Sequence, residues 1–476
     1  MTILNAKKVY LVGIRGVGMA ALAIALTKMG KKVLGSDIAL SNNSATARVL
    51  ENQNIQVFQE FDERHIDDSI DFVVVPASHG GSDNIEVQKA VKLGITAISY
   101  AQTLGDMLNM ATTSISVCGA HGKTNTTALL SSVLLDLGLP ITYIVGAAEF
   151  NNGNPGGGST GLKYCVVEAD KYVTSVDSDP TPKFLYQNPS YIIATNIDFD
   201  HPDVFSSLKD VERVFERFFE RLKPRGKVFY CSDDKTLTDL IEKNKTPSVS
   251  FGTHKADYIA KNILFIDGKY QFDVYHHEQK LVHCVLQISG LHNVISATGV
   301  IALAYELELD ITKVVKSIYS FAPAQRRLQK LFDNTITYFD DYAHHPTEIH
   351  ATLSTLRTMY PERRITMIFQ SHTYSRTEAL KNEFVKALTQ ADKTYLLPIY
   401  SSVREDENAQ HITSEDLVEM AKQAGHDNME SVTLETVVEK LSHDIKQDDI
   451  VITVGAGDQV FTLRDILISE FKKRNL

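Results

Sequence analysis

Residues 114–127 read Ser-Ile-Ser-Val-Cys-Gly-Ala-His-Gly-Lys-Thr-Asn-Thr-Thr and constrain the chain more than any other stretch. A partly β-branched apolar run ends at Gly119, and a short turn leads to Gly122. Lys123-Thr124 then opens a segment with apolar residues at helical spacing, Leu129, Leu130, Val133, Leu134 and Leu137. Strand, glycine turn, Lys-Thr and helix in this order are the layout of a phosphate-binding loop. Glycines let backbone N–H groups approach phosphate oxygens, and the helix N-terminus adds partial positive charge. Lysine supplies a point charge, and the threonine hydroxyl can ligate Mg2+. The commoner loop has more residues between its glycines, whereas Gly119 and Gly122 enclose only Ala120 and His121. A glycine turn that meets a lysine by coincidence is the competing reading. The strand-to-helix context favours a nucleoside triphosphate site on Gly119, His121, Gly122, Lys123, Thr124 and Asn125.

Two further apolar runs end in acids. Residues 164–170 close on Glu168 and Asp170, and residues 191–201 close on Asp198, Asp200 and His201. Buried parallel strands that terminate this way place those groups on one rim of a sheet, the rim that also carries the phosphate loop. Thr124, Glu168 and His201 are accordingly predicted to hold a divalent ion, Mg2+ or Mn2+ in its place, beside the phosphates. Aspartates at strand ends also cap helices, the reading preferred for Asp198 and Asp170.

Upstream, a strand over 9–12, the turn Gly13-Ile-Arg-Gly-Val-Gly18, a helix over 19–29 and a strand over 32–34 that leads to Asp37 predict a βαβ nucleotide-binding unit. The glycine spacing is GxxGxG and not GxGxxG. A Rossmann-like site for another nucleotide, or a tight turn alone, therefore stands beside dinucleotide binding. An NAD-dependent oxidoreductase built on this turn would leave the Lys-Thr loop and the acid–histidine rim without a task. A strand over 72–75 runs into a loop containing Ser78. Residues 153–161, rich in Gly, Asn and Ser, predict an exposed, mobile loop. Residues 224–290 alternate short strands and turns, with His276-His277 in a solvated turn, and a helix follows over 294–307. Beyond Phe321-Ala-Pro-Ala-Gln-Arg-Arg327 the α/β pattern restarts, with strands over 335–339, 364–369, 394–400 and 449–454. Pro346 sits where a first helical residue tolerates proline.

A chain of 476 residues exceeds one ordinary core. Breaks near Leu108 and Pro323 predict three α/β domains: a Rossmann-like domain over 1–107, a central P-loop ATP-binding domain over 108–322 and a second Rossmann-like domain over 323–476. A net charge of −11 disfavours nucleic acid and anionic membranes as partners. Cys118, Cys165, Cys231 and Cys284 form no CxxC pair, as expected of buried thiols in a reducing compartment. Without a signal-peptide pattern or an apolar run of about 20 residues, a cytoplasmic location is expected.

In chain order, GAHGKTNTT, EAD, TNIDFDHPD, LHN, DDYAHHPTE, FQSHTYSRT and GAGD resemble the motifs of the Mur ligases, ATP-dependent amide ligases of peptidoglycan assembly. The resemblance covers essentially the whole chain. The turn GIRGVGMAALA with DDYAHHPTE and FQSHTYSRT is most similar to the branch that joins L-alanine to UDP-N-acetylmuramate. The neighbouring branch, which recycles a whole tripeptide onto the same sugar nucleotide, is the nearest alternative. The resemblance implies that Gly16, Gly18, Asp37 and Ser78 hold the UDP part and that Lys123 binds the ATP phosphates. Thr124, Glu168 and His201 are implied as Mg2+ ligands and Asn293 as an adenine contact. Arg327 and Asp341 are implied at the nucleotide, and His292, Tyr342, His344 and Arg376 around the amino acid. Lys123, Glu168, His201 and His344 would carry the catalysis, and Glu168, His344 and His292 are all candidate acceptors for the amine's proton. The implied partners are the small molecules UDP-N-acetylmuramate, L-alanine and ATP, bound by a monomer or a dimer. Lys171 stands where the family usually has a second glutamate, Ala120 for threonine, Arg15 for glycine, Ser296 for asparagine, and Thr373 at an arginine of some branches. Lys171 and Ala120 are what would favour a non-catalytic ATP-binding scaffold instead.

Overall fold

Short β-branched runs closed by glycine or polar turns build parallel sheets here because the central runs are buried on both faces. A computed structural model describes residues 2–38, 44–175, 178–401 and 412–474. The chain divides into two compact units. One comprises Met1–Phe199, Ser207–Ile288 and His292–Ala324; the other comprises Asp200–Ser206, Ser289–Leu291 and Gln325–Leu476.

The first unit contains two large sheets. An all-parallel five-stranded sheet runs in the order Gln56–Phe58, Lys32–Ser36, Lys8–Val12, Phe72–Val75, Thr96–Ser99. A ten-stranded sheet has Thr113–Cys118 between Tyr191–Ala194 and Tyr164–Ala169, all parallel, and carries antiparallel hairpins at both ends. The helix Val17–Lys28 is buried from Met19 to Leu26, as expected of a helix apolar on every side. Leu108, near the predicted first boundary, lies inside the helix Tyr100–Asn109 and is buried in one core with Leu22, Ile144 and Val167. Capping by Ser99 and Gln102 starts that helix.

Three expectations need correction. The glycine-rich stretch over 153–161 is not a mobile loop: Asn154–Ser159 is a strand with Gly156, Gly157 and Gly158 buried, and Gly157 faces the helix Val17–Lys28. Glycine is required there because a Cβ on Gly157 would lie 1.7 Å from the Ala21 carbonyl oxygen. Gly157→Ala should therefore destabilise the protein by about 3 kcal/mol in urea unfolding. Gly16→Ala, whose Cβ would meet nothing nearer than 3.5 Å, should stay within about 0.5 kcal/mol of wild type. Residues 224–290 are not strands and turns alone, since Lys235–Asn244 is a helix. Asp234 caps it by accepting from Leu237 N, and Leu237, Leu240 and Ile241 form its buried face. His276 is not simply solvated: its ring stacks on Tyr258 at 4.3 Å between centroids, and burial lowers its pKa.

The second unit carries a six-stranded sheet in the order Gln329–Asp333, Thr337–Asp341, Ile450–Gly455, Ile365–Gln370, Lys393–Leu396, Met429–Ser431. Only the first pair is antiparallel. The helix Pro346–Met359 begins at Pro346 as expected, behind a capping box between His345 and Glu348. All four cysteines are buried and free. Among the described residues no helix is long and apolar enough to cross a membrane.

Candidate active site

The N-terminal sheet reverses its strand order between Lys8–Val12 and Phe72–Val75, and ligands bind at the carboxyl ends of strands beside such a reversal. Gly16 and Ser78 follow those two ends, and Asp37 follows the end of the neighbouring strand Lys32–Ser36. Asp37 accepts from Arg15 N at 2.8 Å, and His79 Nε2 lies 3.7 Å from its carboxylate. Gly18 has a packing reason of its own, since a Cβ there would meet the Tyr100 hydroxyl at 2.8 Å. Beneath this rim Glu86, wholly buried, accepts from the Tyr10 hydroxyl at 2.8 Å, from Asp62 N at 3.2 Å and from Ser36 Oγ. His65 Nδ1 lies 2.9 Å from the same carboxylate. Glu86, near the start of the helix Ile85–Lys92, thus fixes the strand end that presents Asp37.

The phosphate loop follows Thr113–Cys118 directly. Gly119 and Gly122 have φ of 148° and 81°, and a Cβ on Gly119 would lie 1.9 Å from Thr195 Oγ1. The loop is pinned from the neighbouring strand end. Ala120 N and His121 N donate to Asn196 Oδ1 at 3.0 and 2.9 Å, and Asn196 Nδ2 and Thr195 Oγ1 donate to the His121 carbonyl. Lys123 Nζ folds over the loop and donates to the carbonyls of Gly119 and Ala120, both at 2.9 Å. Thr124 Oγ1 donates to Glu168 Oε2 at 3.2 Å, while Glu168 Oε1 accepts from Gly146 N. Asn125 Nδ2 reaches Asn293 Oδ1 at 3.3 Å and Thr126 Oγ1 lies 3.0 Å from Ser296 Oγ, joining the loop's helix to Leu291–Glu306. Asn293 is therefore a buried residue inside that helix, whereas His292 beside it is exposed.

Asp198 and Asp170 do not cap helices. His121 Nε2 lies 3.1 Å from Asp198 Oδ2, and Asp170 takes Lys183 Nζ at 2.9 Å, because each strand end meets a cation or an imidazole before any helix begins. Lys171 is 1% exposed. His201 belongs to the second unit, where its Nε2 lies 3.2 Å from Asp200 Oδ2.

In the second unit Tyr342, His344 and Arg376 come together. The Tyr342 and His344 rings are 5.5 Å apart, and His344 faces His372 at 6.3 Å. His344 Nδ1 is 3.0 Å from the Tyr342 carbonyl, which can only accept, so Nδ1 carries a hydrogen and, in the neutral ring, Nε2 keeps its lone pair. Burial pushes the His344 pKa down, against the opposing pull of Glu348. Arg327 lies over Tyr342 at 5.6 Å. Asp341 is 6% exposed and accepts from Leu328 N at 3.1 Å, Ala343 N at 2.9 Å and Thr352 Oγ1 at 3.0 Å. Burial pushes its carboxyl up to about 6, with Arg327 opposing. Its pKa thus exceeds the unfolded value of about 3.9, so the folded state holds the extra proton between about pH 4 and pH 6. Stability from this group is full below that window and is lost as pH rises through it. Asp341→Asn should remove that loss, so urea titrations should show the variant gaining about 2–3 kcal/mol on wild type from pH 4 to pH 6.5.

Sequence and fold comparisons agree with one another. The model described as Mur ligase family, catalytic domain, matches residues 8–112. The Mur ligase middle domain matches 117–304, and the Mur ligase, glutamate ligase domain, matches 326–457. A UDP-N-acetylmuramate--L-alanine ligase of Ligilactobacillus salivarius is 37% identical over 457 residues, 96% of each chain. One from Levilactobacillus brevis is 37% identical over 95% of each. The UDP-N-acetylmuramate-alanine ligase MurC of Thermotoga maritima superposes with a TM-score of 0.76 at 25% identity, covering 98% of this chain and 99% of that one. A murein peptide ligase of Psychrobacter arcticus shares the fold with a TM-score of 0.70 at 23% identity, over 97% and 98%. With three matched domains that span most of its length, and full-length relatives above a third identical, this chain belongs to the Mur ligase family.

Proposed function

We propose that this ligase uses ATP to join L-alanine to the lactyl carboxylate of UDP-N-acetylmuramate through an acyl phosphate, in the cytoplasm, during peptidoglycan precursor synthesis. The observation that carries the reading is the pinned Lys-Thr loop with Glu168 on Thr124 at the same strand rim, in a chain this similar to curated alanine-adding ligases. Residues 1–107 take the UDP part on Gly16, Gly18, Asp37 and Ser78. Residues 108–322 take ATP, with Asn293 near adenine. Residues 323–476 contribute Arg327 and Asp341 to the nucleotide and Tyr342, His344 and Arg376 to the amino acid, which His292 also contacts.

A carboxylate resists attack because the incoming electrons would load an already negative group. Its oxygen instead attacks the γ-phosphorus of ATP and ADP leaves. The amine nitrogen then attacks the activated carbonyl carbon, and the C–O bond to phosphate breaks. The residues have only to position and neutralise. Lys123 exchanges two neutral carbonyl acceptors for charged phosphate oxygens, a stronger partner. Asn196 and Thr195 hold the loop backbone, with the amides of Ala120 and His121 spent on Asn196 Oδ1, so the phosphate oxygens would be met by the Lys123 ammonium and the N-terminus of the helix it opens. The hydroxyl of Thr124 and the carboxylate of Glu168 are hard oxygen donors 3.2 Å apart, a pair suited to Mg2+ or Mn2+, and the resemblance to the family adds His201 as the third ligand of this proposal. A bound divalent ion supplies charge neutralisation on the phosphates. His344, neutral with Nε2 unprotonated, accepts the proton the amine must lose.

Phosphate release with UDP-N-acetylmuramate, measured across L-alanine, glycine, L-serine and the cell-wall tripeptide, tests the assignment. Release should require the sugar nucleotide and be fastest with L-alanine. Release with the tripeptide alone would move the chain to the recycling branch.

A further inference from the structure

The Asp200 side chain is almost wholly enclosed and serves two groups at once. Its Oδ1 accepts from Arg376 Nε at 3.0 Å and Arg376 Nη2 at 2.9 Å, and also from His201 N at 2.8 Å. Its Oδ2 lies 3.2 Å from His201 Nε2. The Arg376 and Asp200 side chains are 5% and 6% exposed, so solvent screens this pair little. Arg376 Nη1 is also committed, donating to the His372 carbonyl. His201 itself has φ of 62°, in the left-handed region that a non-glycine residue rarely enters. The donation of its N–H to Asp200 helps to hold that backbone. A carboxylate beside a ligating histidine is the arrangement that fixes the ring and raises its basicity. Here the same carboxylate grips the guanidinium of the amino-acid site by its Nε–Nη2 edge.

We infer that Asp200 is a positioning residue that couples the metal ligand His201 to Arg376, so that metal–nucleotide binding and amino-acid binding each strengthen the other. The coupling is reciprocal because anything that tightens the orientation of one partner restrains the shared carboxylate for the other. The inference rests on the proposed roles of His201 and Arg376. Asp200 touches no substrate in this scheme; it acts through the two side chains that do. Asp200→Asn keeps the size of the side chain and removes its charge, so the imidazole and the guanidinium lose their common anchor.

The test uses the full chain and Mn2+ with ADP, followed by the paramagnetic signal of bound manganese without turnover. Asp200→Asn should weaken Mn2+ binding by about 10-fold or more and raise the L-alanine KM while kcat falls less. Arg376→Lys should also weaken Mn2+ binding, by about threefold or more, although Arg376 is no metal ligand. A lysine that merely lost an amino-acid contact would not move that signal. Because Arg376→Lys leaves Asp200 in place, it remains decisive if Asp200→Asn does not fold. Unchanged Mn2+ affinity in Arg376→Lys, or in folded Asp200→Asn, overturns the coupling. Failure of the wild-type chain to bind Mn2+ with ADP would instead overturn the metal–nucleotide assignment itself.

Discussion

Lys123→Ala will lower phosphate release in the presence of both co-substrates by about 10³-fold, with the sugar nucleotide still bound. The loop does not depend on the lysine for its shape. Asn196 and Thr195 hold its backbone, and Gly119 makes room for the Thr195 hydroxyl. Removing the ammonium therefore takes away a positive charge and leaves the cradle standing. Among the described residues Lys123 Nζ donates only to two neutral carbonyls, so those groups lose little when it is gone. The charge that accumulates on the phosphoryl oxygens during transfer then has no compensating cation from this position. Binding of UDP-N-acetylmuramate, measured by calorimetry without ATP, should be unchanged. Normal phosphate release by this variant would remove the phosphate loop from the mechanism.

Arg326→Ala should have the largest effect on stability, about 3–5 kcal/mol, read as a fall in melting temperature on the order of 10 °C. Arg326 and Asp340 have side chains 6% and 0% exposed, with Nε 2.7 Å from Asp340 Oδ2. Arg326 Nη2 also donates to the Gly455 carbonyl at 2.9 Å, and the guanidinium lies 3.9 Å from the Phe461 ring centre. Truncation leaves Asp340 buried with Arg464 3.8 Å away as its remaining cation. Arg327→Ala, one residue on, removes a half-buried side chain whose cationic contact is the Tyr342 ring. It should change stability by less than about 1 kcal/mol and should raise the ATP KM instead. Thermal melts and steady-state kinetics on the two variants separate the brace from the ligand contact.

That pair also shows how far the sequence could be read. Adjacent arginines before a strand ending in Asp340-Asp341 look alike on paper. Which one turns inward depends on a contact to Gly455, more than a hundred residues away, and no local periodicity encodes it. The same limit applies to Asp200, which a motif reading places on the rim with Asp198 and His201 but gives no task. Its importance arises from Arg376, far along the chain. By contrast, the strand ending at Cys118, the helix from Lys123 and the turn between them were legible because period, glycine and lysine agree locally. The parallel-sheet architecture was legible for the same reason. Gly157 misled in the opposite direction. A glycine-rich, polar-looking stretch normally signals a loop, but here small residues allow a strand to approach the Ala21 backbone, and only the packed helix makes that visible. The helix Lys235–Asn244 could have been found from Asp234 and its apolar spacing.

The central claim is that the chain activates a carboxylate by phosphoryl transfer before the amine attacks. The most direct measurement follows oxygen from UDP-N-acetylmuramate labelled with 18O in both lactyl carboxylate oxygens, turned over with ATP and L-alanine. An acyl phosphate route predicts that each phosphate released carries one labelled oxygen and that the amide keeps the other. Unlabelled phosphate formed in step with product would contradict the account.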